Sequence, residues 1–317
     1  MVVEFKSKLN RVFQAVILIL LSTQVADAQL LWKISKKGQE DSYILGTHHI
    51  VPSSMVANIT GVDEAYNKSK TVIGEIDIRE MQDEKASMKM SMMMLAPEDS
   101  LLHDVLGAKS FNQLQDLIDK YPLAGGVDKN MLSFLKPQTV NALIAVAMGM
   151  KANETLFPND NSALGVDLIF EEKALKDKKE IVGLESLDFQ SELLYNSESI
   201  TESGKELQKM LDCYSSNEER ALEVSMLTTK LYLAEDLDDL YALATDPELA
   251  VCPSLAIKEE AWKNLVDNRN EAWISKLQKE MKKSPSFILV GALHLPGKKG
   301  VLELLKQKGY TVTPISK

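Results

Sequence analysis

Short apolar runs rich in β-branched residues alternate along the chain with longer stretches of helical periodicity. The runs predict strands at residues 42–46, 71–77, 180–184, 286–291 and 310–314, and residues 31–34 predict a hairpin partner for the first of them. The helical patterns cover residues 97–120, 137–150, 166–176, 202–214, 217–245, 255–282 and 299–308. Strands that alternate with helices are typical of α/β proteins. We therefore expect an α/β fold with a mainly parallel central sheet of about four to six strands, surrounded by helices.

The middle strands and the long helical segment indicate how the layers are arranged. Residues 72–73, 181–182 and 287–290 are continuous apolar runs, which are typical of strands that are buried on both faces. Residues 202–282 are almost entirely helical in pattern and predict a helical subregion in the C-terminal half. Since no stretch rich in Pro, Gly or Ser reads as a linker, we expect residues 29–317 to form a single domain. The alternative is a second domain in which residues 202–282 cap the sheet.

The N-terminal pattern differs from the rest of the chain. Three cations in the first eleven residues precede an apolar run at residues 12–21 and a small-residue site at residues 26–28. These parts predict a signal peptide at residues 1–28 and a mature chain that begins at Gln29. The apolar run is shorter than the roughly 20 residues that a membrane span needs. We therefore expect a periplasmic or secreted protein without stable membrane insertion.

Charge and cysteine content fit an exported protein. Removal of residues 1–28 takes three cations from 36 and two acids from 46, which leaves 33 against 44 and a net charge of −11. Such a surface repels nucleic acid, so we expect no nucleic-acid partner. Cys213 and Cys252 are the two cysteines, and an oxidising compartment favours a disulfide between them. A catalytic thiol is disfavoured because no His lies near either one; two free, buried thiols are the remaining alternative.

The polar residues that are best suited to catalysis or metal binding follow the predicted strands. In an open parallel sheet, ligands bind outside the carboxyl ends of the strands. The strand-end sequences are Gly46-Thr47-His48-His49, Glu75-Ile76-Asp77, Gly183-Leu184-Glu185 and Gly291-Ala292-Leu293-His294. Their common position predicts one acidic, histidine-bearing crevice.

Two Gly-x-x-His turns contain three of the four histidines, and the fourth, His103, reads as a surface residue near a helix start. Two imidazoles and a carboxylate supply an incomplete coordination shell for a divalent metal ion. The alternative is that each His caps a helix or bonds a carbonyl. Glu75 and Asp77 alternate with Ile76 and are expected to share one strand face, facing inward at the site or, alternatively, lying in a hydrated turn.

These motifs, in this order, resemble those of the TraB/GumN family, which includes the Tiki metalloproteases. The resemblance extends over residues 31–315 and rests on both Gly-x-x-His motifs, Glu75, Gly165-Val166-Asp167, Gly183-Leu184-Glu185-Ser186 with Gln190, and Arg269-Asn270-x-x-Trp273. It implies a compact α/β fold, a metal site built by His49, His294 and Glu75, and peptide hydrolysis that depends on Mn²⁺ or Co²⁺, with Zn²⁺ as a further candidate. Because His48 precedes His49, either of them is a candidate ligand.

Two functions follow as hypotheses. The first is a metal-dependent peptidase with a peptide or protein substrate, in which Glu75 is a ligand or general base and Glu185 binds a substrate amine or a second metal. Arg269 lies one helical turn from Trp273 and is expected to clamp a carboxylate or stabilise an oxyanion; a structural ion pair with Glu75 or Asp77 is the alternative.

The second hypothesis is a non-catalytic exported protein that binds a metal ion or a metal complex such as haem. Its support is the methionine run at residues 88–94, since thioethers are soft ligands and can also line an adaptable peptide groove. We expect these methionines instead to be the core face of an amphipathic helix. A vestigial site is a third alternative, and the oligomeric state stays open.

Overall fold

The computed structural model describes residues 29–160 and 162–315 of the chain, so the predicted signal peptide at residues 1–28 lies outside the described residues. The strands are β1 (Leu31–Ser35), β2 (Ser42–Thr47), β3 (Val51–Pro52), β4 (Thr71–Gly74), β5 (Ala163–Leu164), β6 (Glu180–Gly183), β7 (Ser286–Gly291) and β8 (Thr311–Pro314). The helices up to the middle of the chain are α1 (Ser53–Val56), α2 (Val62–Lys68), α3 (Ile78–Gln82), α4 (Glu84–Met94), α5 (Leu102–Lys120), α6 (Lys129–Leu132) and α7 (Pro137–Leu156).

The helices that follow are α8 (Val166–Asp177), α9 (Leu187–Tyr195), α10 (Ile200–Leu233), α11 (Leu237–Thr245), α12 (Glu259–Trp262), α13 (Asn268–Lys283) and α14 (Val301–Gln307). Short 3₁₀ helices lie at Ala124–Gly126, Pro253–Leu255 and Ala292–His294, and a π-helical turn lies at Lys263–Asp267. Within the described residues, no helix is both long enough and apolar enough to cross a membrane.

The main sheet contains six strands in the order β6-β4-β7-β2-β1-β8. The pairs β6–β4, β4–β7 and β7–β2 are parallel, whereas β1 is antiparallel to both of its neighbours. All strands but β1 therefore run in the same direction, which confirms the predicted α/β fold with a mainly parallel sheet. A short antiparallel pair, β3–β5, lies outside this sheet.

The central strands are buried because their apolar residues are continuous. Every residue of β2 and β4 is buried, and in β7 only Gly291 is not fully buried. On one flank, Phe170 of α8 packs on Phe287 of β7 with ring centroids 5.0 Å apart. Trp273 and Leu277 of α13 belong to the same hydrophobic cluster. Packing on both faces thus fixes the parallel strands β6, β4, β7 and β2 so that their carboxyl ends lie along one edge of the sheet.

A second hydrophobic cluster lies among α5, α7 and the first part of α10. The predicted break between residues 214 and 217 appears as a kink within α10, at Asn217, whose φ of −138° is non-helical. Near this kink Cys213 and Cys252 form the predicted disulfide, with a Cα–Cα distance of 6.3 Å. The end of α10 returns to the sheet, where Tyr232 Oη donates to Gly46 O at 3.0 Å.

The methionine run lies on the surface, so its assignment to the core is wrong. Helix α4 contains no buried residue, and Met88 and Met92 are 61% and 68% exposed. The reason is the spacing, because methionines at positions 88, 90, 92, 93 and 94 surround the helix instead of recurring on one side. Helix α4 packs beside α9, where Lys89 pairs with Asp188.

Candidate functional site

The two Gly-x-x-His turns begin side by side at one edge of the sheet. Strands β2 and β7 are neighbours in parallel register, with Thr47 opposite Gly291. Close packing requires the glycine at position 46, where a Cβ would lie 2.9 Å from Leu295 Cδ1, whereas a Cβ on Gly291 would make only an ordinary 3.4 Å contact with Glu75 Oε1. The predicted convergence of both turns on one crevice therefore has its structural basis in a single pair of adjacent strands.

His294 is held in one tautomer. Asn270 Nδ2 donates to His294 O at 3.2 Å and to Lys299 O at 2.9 Å, which orients the amide so that its Oδ1 accepts. His294 Nδ1 lies 2.7 Å from that oxygen and must therefore carry the proton. Burial lowers the pKa of His294 to about 4, so the ring is neutral at pH 7. Its Nε2 has a lone pair, which accepts from Arg269 Nη1 at 3.2 Å.

Arg269 lies at the centre of a buried charge network. Its Nε is 3.1 Å from both oxygens of Glu185, its Nη2 donates to Glu185 Oε1 and, at 2.5 Å, to Glu75 Oε2, and its Nη1 donates to Leu265 O at 3.0 Å. The guanidinium carbon also lies 4.9 Å from the Trp273 ring, which confirms that both side chains share one face of α13. The predicted alternative of an ion pair with Glu75 is thus present, with Glu185 as a second partner.

Both carboxylates of this network are further engaged. Gly291 N donates to Glu75 Oε1 at 2.7 Å, and Gln190 Nε2 lies 3.2 Å from Glu75 Oε2 and 3.1 Å from Glu185 Oε1. Trp273 Nε1 donates to Glu185 Oε2 at 3.1 Å. Burial acts to raise the pKa of Glu75, but His294 and Arg269 more than offset it, and the pKa is lowered. Glu75 is therefore an ionised carboxylate at neutral pH.

His49 lies at the exposed rim of the site. Its side chain is 68% exposed, and its Nδ1 is 3.5 Å from Asp167 Oδ2 at the start of α8. The hydrogen bond with Asp167 raises the pKa of His49 to about 9, so the ring is a cation at pH 7 with Nδ1 directed at the aspartate and Nε2 directed away from it. Gly165 makes this arrangement possible because a Cβ there would lie 2.6 Å from Asp167 Oδ1.

His48 has a different environment from its neighbour. Its Nδ1 accepts from Ile50 N at 3.1 Å, and its ring centroid is 5.1 Å from that of Tyr232. Burial lowers the pKa of His48 to about 4. The ring is therefore neutral at pH 7, with its proton on Nε2 and its lone pair already used by the backbone.

Asp77 does not share a strand face with Glu75 as predicted. Strand β4 ends at Gly74, and Asp77 instead caps α3, where its Oδ1 accepts from Arg79 N at 3.0 Å. It also forms an ion pair with Arg79. The chain turns at Glu75-Ile76, so the alternation that a longer strand would give is lost.

Glu171 is a site-adjacent residue that the sequence reasoning missed. It is 6% exposed, its Oε2 accepts from Ile78 N at 2.9 Å, and a Cβ on Gly74 would collide with its Oε1. Burial raises the pKa of Glu171 to about 8, so the carboxyl is mainly protonated at pH 7. The signal that was available is its place one helical turn after Asp167, on the same face of α8.

The donor chemistry suits a metal ion, although the donors are not assembled around one point. His294 Nε2 lies 3.9 Å from Glu75 Oε1, and His49 and His294 both direct Nδ1 at a side-chain oxygen and Nε2 away from it. Across residues 29–160 and 162–315, no three His, Cys, Asp or Glu side chains are arranged so that they could hold a metal ion. The guanidinium of Arg269 is the group that contacts both His294 and Glu75.

Comparison with known proteins gives one finding. No curated protein and no solved structure shows significant similarity to the chain. The model of the TraB/PrgY/gumN family matches residues 30–314, which includes every strand and helix described above. The chain belongs to the TraB/PrgY/gumN family.

Proposed function

We propose that this chain is a metal-dependent peptidase whose ion is held by Nε2 of His49, Nε2 of His294 and the carboxylate of Glu75. The observation that carries the proposal is the matched orientation of the two rings. Each has its Nδ1 directed at a side-chain oxygen, of Asp167 in one case and Asn270 in the other. Oxygen acceptors that bond one ring nitrogen orient metal-binding histidines so that the opposite nitrogen faces the ion. We assign the role to His49 over His48 because the Nδ1 of His48 already accepts from Ile50 N.

The other side chains of the site have separate tasks in this proposal. A bound Mn²⁺, Co²⁺ or Zn²⁺ ion would polarise a peptide carbonyl and make water more acidic. Glu185 and the Leu265 carbonyl hold the planar guanidinium of Arg269, and the N–H of Nη1 that now points to His294 Nε2 would be left to donate to a substrate oxygen once that nitrogen binds the ion. Glu75 is an ionised carboxylate, the form in which it would bind the ion.

Metal binding by matched variants tests the proposal directly. Chelator-treated protein is dialysed separately against Mn²⁺, Co²⁺ and Zn²⁺ and its metal content is measured by elemental analysis. We expect wild type to retain an ion and His49→Ala and His294→Ala to lose it. His103→Ala is the control, since His103 is 48% exposed on α5 and pairs with Asp104. Equal retention in all four proteins, or none in wild type, would refute the assignment.

Peptidase activity needs its own measurement. The metal-loaded wild type and the same variants are incubated with a peptide library, and new termini are identified by mass spectrometry. Cleavage by wild type and by His103→Ala, with loss in both site variants and after chelation, is the expected result. Metal retention without peptide cleavage would contradict the peptidase proposal and would support a metal-binding protein without catalysis.

A metal-binding protein without catalysis is the second candidate, and the exposed methionines favour it. Met88 and Met92 are exposed on α4, so their thioethers are accessible as ligands to a soft metal ion or to haem iron. Leucine at both positions removes sulfur while keeping the bulk. Copper binding or haem absorbance that disappears in the double variant, with no peptide cleavage by wild type, would favour this function.

Export is part of the proposal. The disulfide between Cys213 and Cys252 is what an oxidising compartment permits. The intact mass of protein recovered from outside the cytoplasm should correspond to a chain that begins at Gln29. Recovery of the full-length chain from the cytoplasm would contradict export.

A further inference from the structure

A groove of about 340 Å³ lies between α7, α9, the start of α10 and the π-helical turn. Its apolar lining consists of Ala142 and Ala145 from α7, Leu193 and Leu194 from α9, and Leu265 from the π-helical turn. Its polar lining consists of Gln138, Asn141, Ser197, Glu198, Ser203 and Glu206. A small-residue floor between leucine walls is a shape that receives an aliphatic side chain.

Two of the groove's walls are also walls of the candidate site. On α9, Gln190 bonds both Glu75 and Glu185, and Leu193 and Leu194 follow it by three and four residues on the same face of the helix. On the opposite side, the carbonyl of Leu265 accepts from Arg269 Nη1 at 3.0 Å while the residue lines the groove. The groove therefore begins within one helical turn of the charge network on both sides.

The groove residues are unusually exposed for apolar side chains in a concave position. Leu194 is 43% exposed, and Ala142 and Ala145 are exposed on the surface of α7. A ligand with an aliphatic side chain would remove this surface from water, which is the main favourable term in such sites. A charged side chain would gain no partner from the alanines and leucines, and of the two carboxylates that line the groove, Glu198 and Glu206, the second is already paired with Lys209 and Lys258.

We propose that this groove is the subsite for a large aliphatic side chain of a peptide whose backbone lies over the Arg269, Glu75 and His294 site. The inference rests on the proposed function, because that function places a peptide at the strand ends. It adds the substrate class: peptides with a leucine-like residue adjacent to the bond at the site.

Methyl NMR on the full mature chain tests the subsite without any need for turnover. Protein labelled with ¹³C at the Leu methyl groups is titrated with N-acetyl-leucyl-leucinamide and, separately, with N-acetyl-alanyl-alaninamide. We expect the methyls of Leu193, Leu194 and Leu265 to shift together, with at least about tenfold tighter binding of the leucine probe. Ala145→Phe should weaken that binding by about tenfold or more, because the new ring occupies the groove.

Ala108→Phe is the matched control, since Ala108 is exposed on α5 and outside the groove. Ala142→Phe repeats the test in case Ala145→Phe reduces folding, and the urea midpoint of each variant is measured. Unshifted groove methyls, equal binding of both probes, or undiminished binding by both groove variants overturns the proposal. Shifts of the same methyls on dilution of protein alone would assign the groove to a second copy of the chain and also overturn it.

The metal measurements separate this inference from the function on which it rests. Loss of the leucine response with metal retention intact overturns the subsite and leaves the peptidase proposal standing. A selective leucine response in a chain that retains no metal supports the groove as a peptide site and removes the catalytic assignment.

Discussion

Two glutamates at the sheet edge have carboxyl groups whose pKa values are shifted in opposite directions by their surroundings. Glu75 and Glu171 are both buried carboxyl groups near the end of β4. His294 and Arg269 lower the pKa of Glu75 against the effect of burial, whereas burial with no cation beside it raises the pKa of Glu171 to about 8. One carboxyl is therefore charged and the other protonated at pH 7.

The raised pKa of Glu171 predicts a fall in stability with rising pH. Between about pH 4.5 and pH 8, the folded protein holds a proton that the unfolded chain has lost, so the free energy of unfolding decreases as the pH rises. Glu171→Gln removes this ionisation and keeps an oxygen that can accept from Ile78 N. By pH 9 the variant should exceed wild type by roughly 2 to 5 kcal/mol, with little difference below pH 4.5.

Urea unfolding at a series of pH values measures this difference. Glu172→Gln is the control because Glu172 is the neighbouring glutamate and is exposed, with only a 4.0 Å pair to Lys176. The control should follow wild type at every pH. A constant difference between Glu171→Gln and wild type from pH 4.5 to pH 9 would contradict the assigned pKa.

Removal of Arg269 should be far more costly than removal of a surface arginine. Arg269→Met leaves Glu75 and Glu185 buried without their cation, which typically costs about 3 to 5 kcal/mol of unfolding free energy. Arg220→Met, at an exposed pair with Glu223, should cost less than about 1 kcal/mol. Combining Arg269→Met with Glu75→Gln and Glu185→Gln should recover part of the loss. Equal effects of both arginine variants in urea unfolding would count against a buried network.

At this scale the sequence identified residue types better than their partners. Glu185 and His294 follow from strand ends, Arg269 and Asn270 follow from the family resemblance, and all four lie in one network. Their hydrogen bonds do not follow from spacing, because each depends on side-chain rotamers set by packing. Glu171 was missed for a related reason: a glutamate within a helix usually faces solvent, and only the three-dimensional position of Gly74 shows that this one does not.

Whole elements were predicted most reliably where the pattern is long and uniform. The apolar runs of β2, β4 and β7 correspond to buried parallel strands, whereas β6 is an edge strand with only Ile181 buried, so its predicted burial on both faces is wrong. The helices predicted at 202–214 and 217–245 correspond to α10, which has a kink at Asn217, and to α11. The end of β4 was misplaced because Glu75-Ile76-Asp77 continues an alternating pattern while the chain already turns. The π-helical turn before Arg269 has no sequence signature in the pattern, yet its Leu265 carbonyl orients the guanidinium.

The disulfide belongs to the same scale because it joins α10 to the segment after α11. Its cysteines are separated by 39 residues, and closing a loop of this length restricts the unfolded chain by about 4 kcal/mol. Cys213→Ala with Cys252→Ala should lose that amount in urea unfolding, and wild type in reducing agent should lose a similar amount. The double variant is its own control, since reducing agent should not change it further. Thiols that react in unreduced, denatured wild type would contradict the bond.

At the scale of the whole molecule, α10 connects the two hydrophobic clusters. Leu207 and Leu211 belong to the helical cluster with α5 and α7, and Tyr232 at the other end belongs to the sheet cluster and bonds Gly46 O. A helix that contributes to both cores, although kinked at Asn217, is expected to transmit the loss of one core to the other. The expected single domain at residues 29–317 stays a prediction, and cooperativity of unfolding is its physical test.

We predict that both clusters unfold in one transition. Hydrogen exchange measured by mass spectrometry along a urea series reports β7 for the sheet and α7 for the helical cluster, and their slowest amides should share one midpoint and one opening free energy. Asn217→Pro, at the kink of α10, should separate the two midpoints. Proline cannot adopt the φ of −138° that Asn217 has, and the substitution also removes the hydrogen bond that the side-chain Nδ2 of Asn217 donates to Cys213 O at 3.0 Å. Lys230→Ala, later in the same helix, should leave a single transition. Two midpoints already in wild type would mean that the helical cluster is an independent cap, because the connection through α10 would then carry too little energy to couple them.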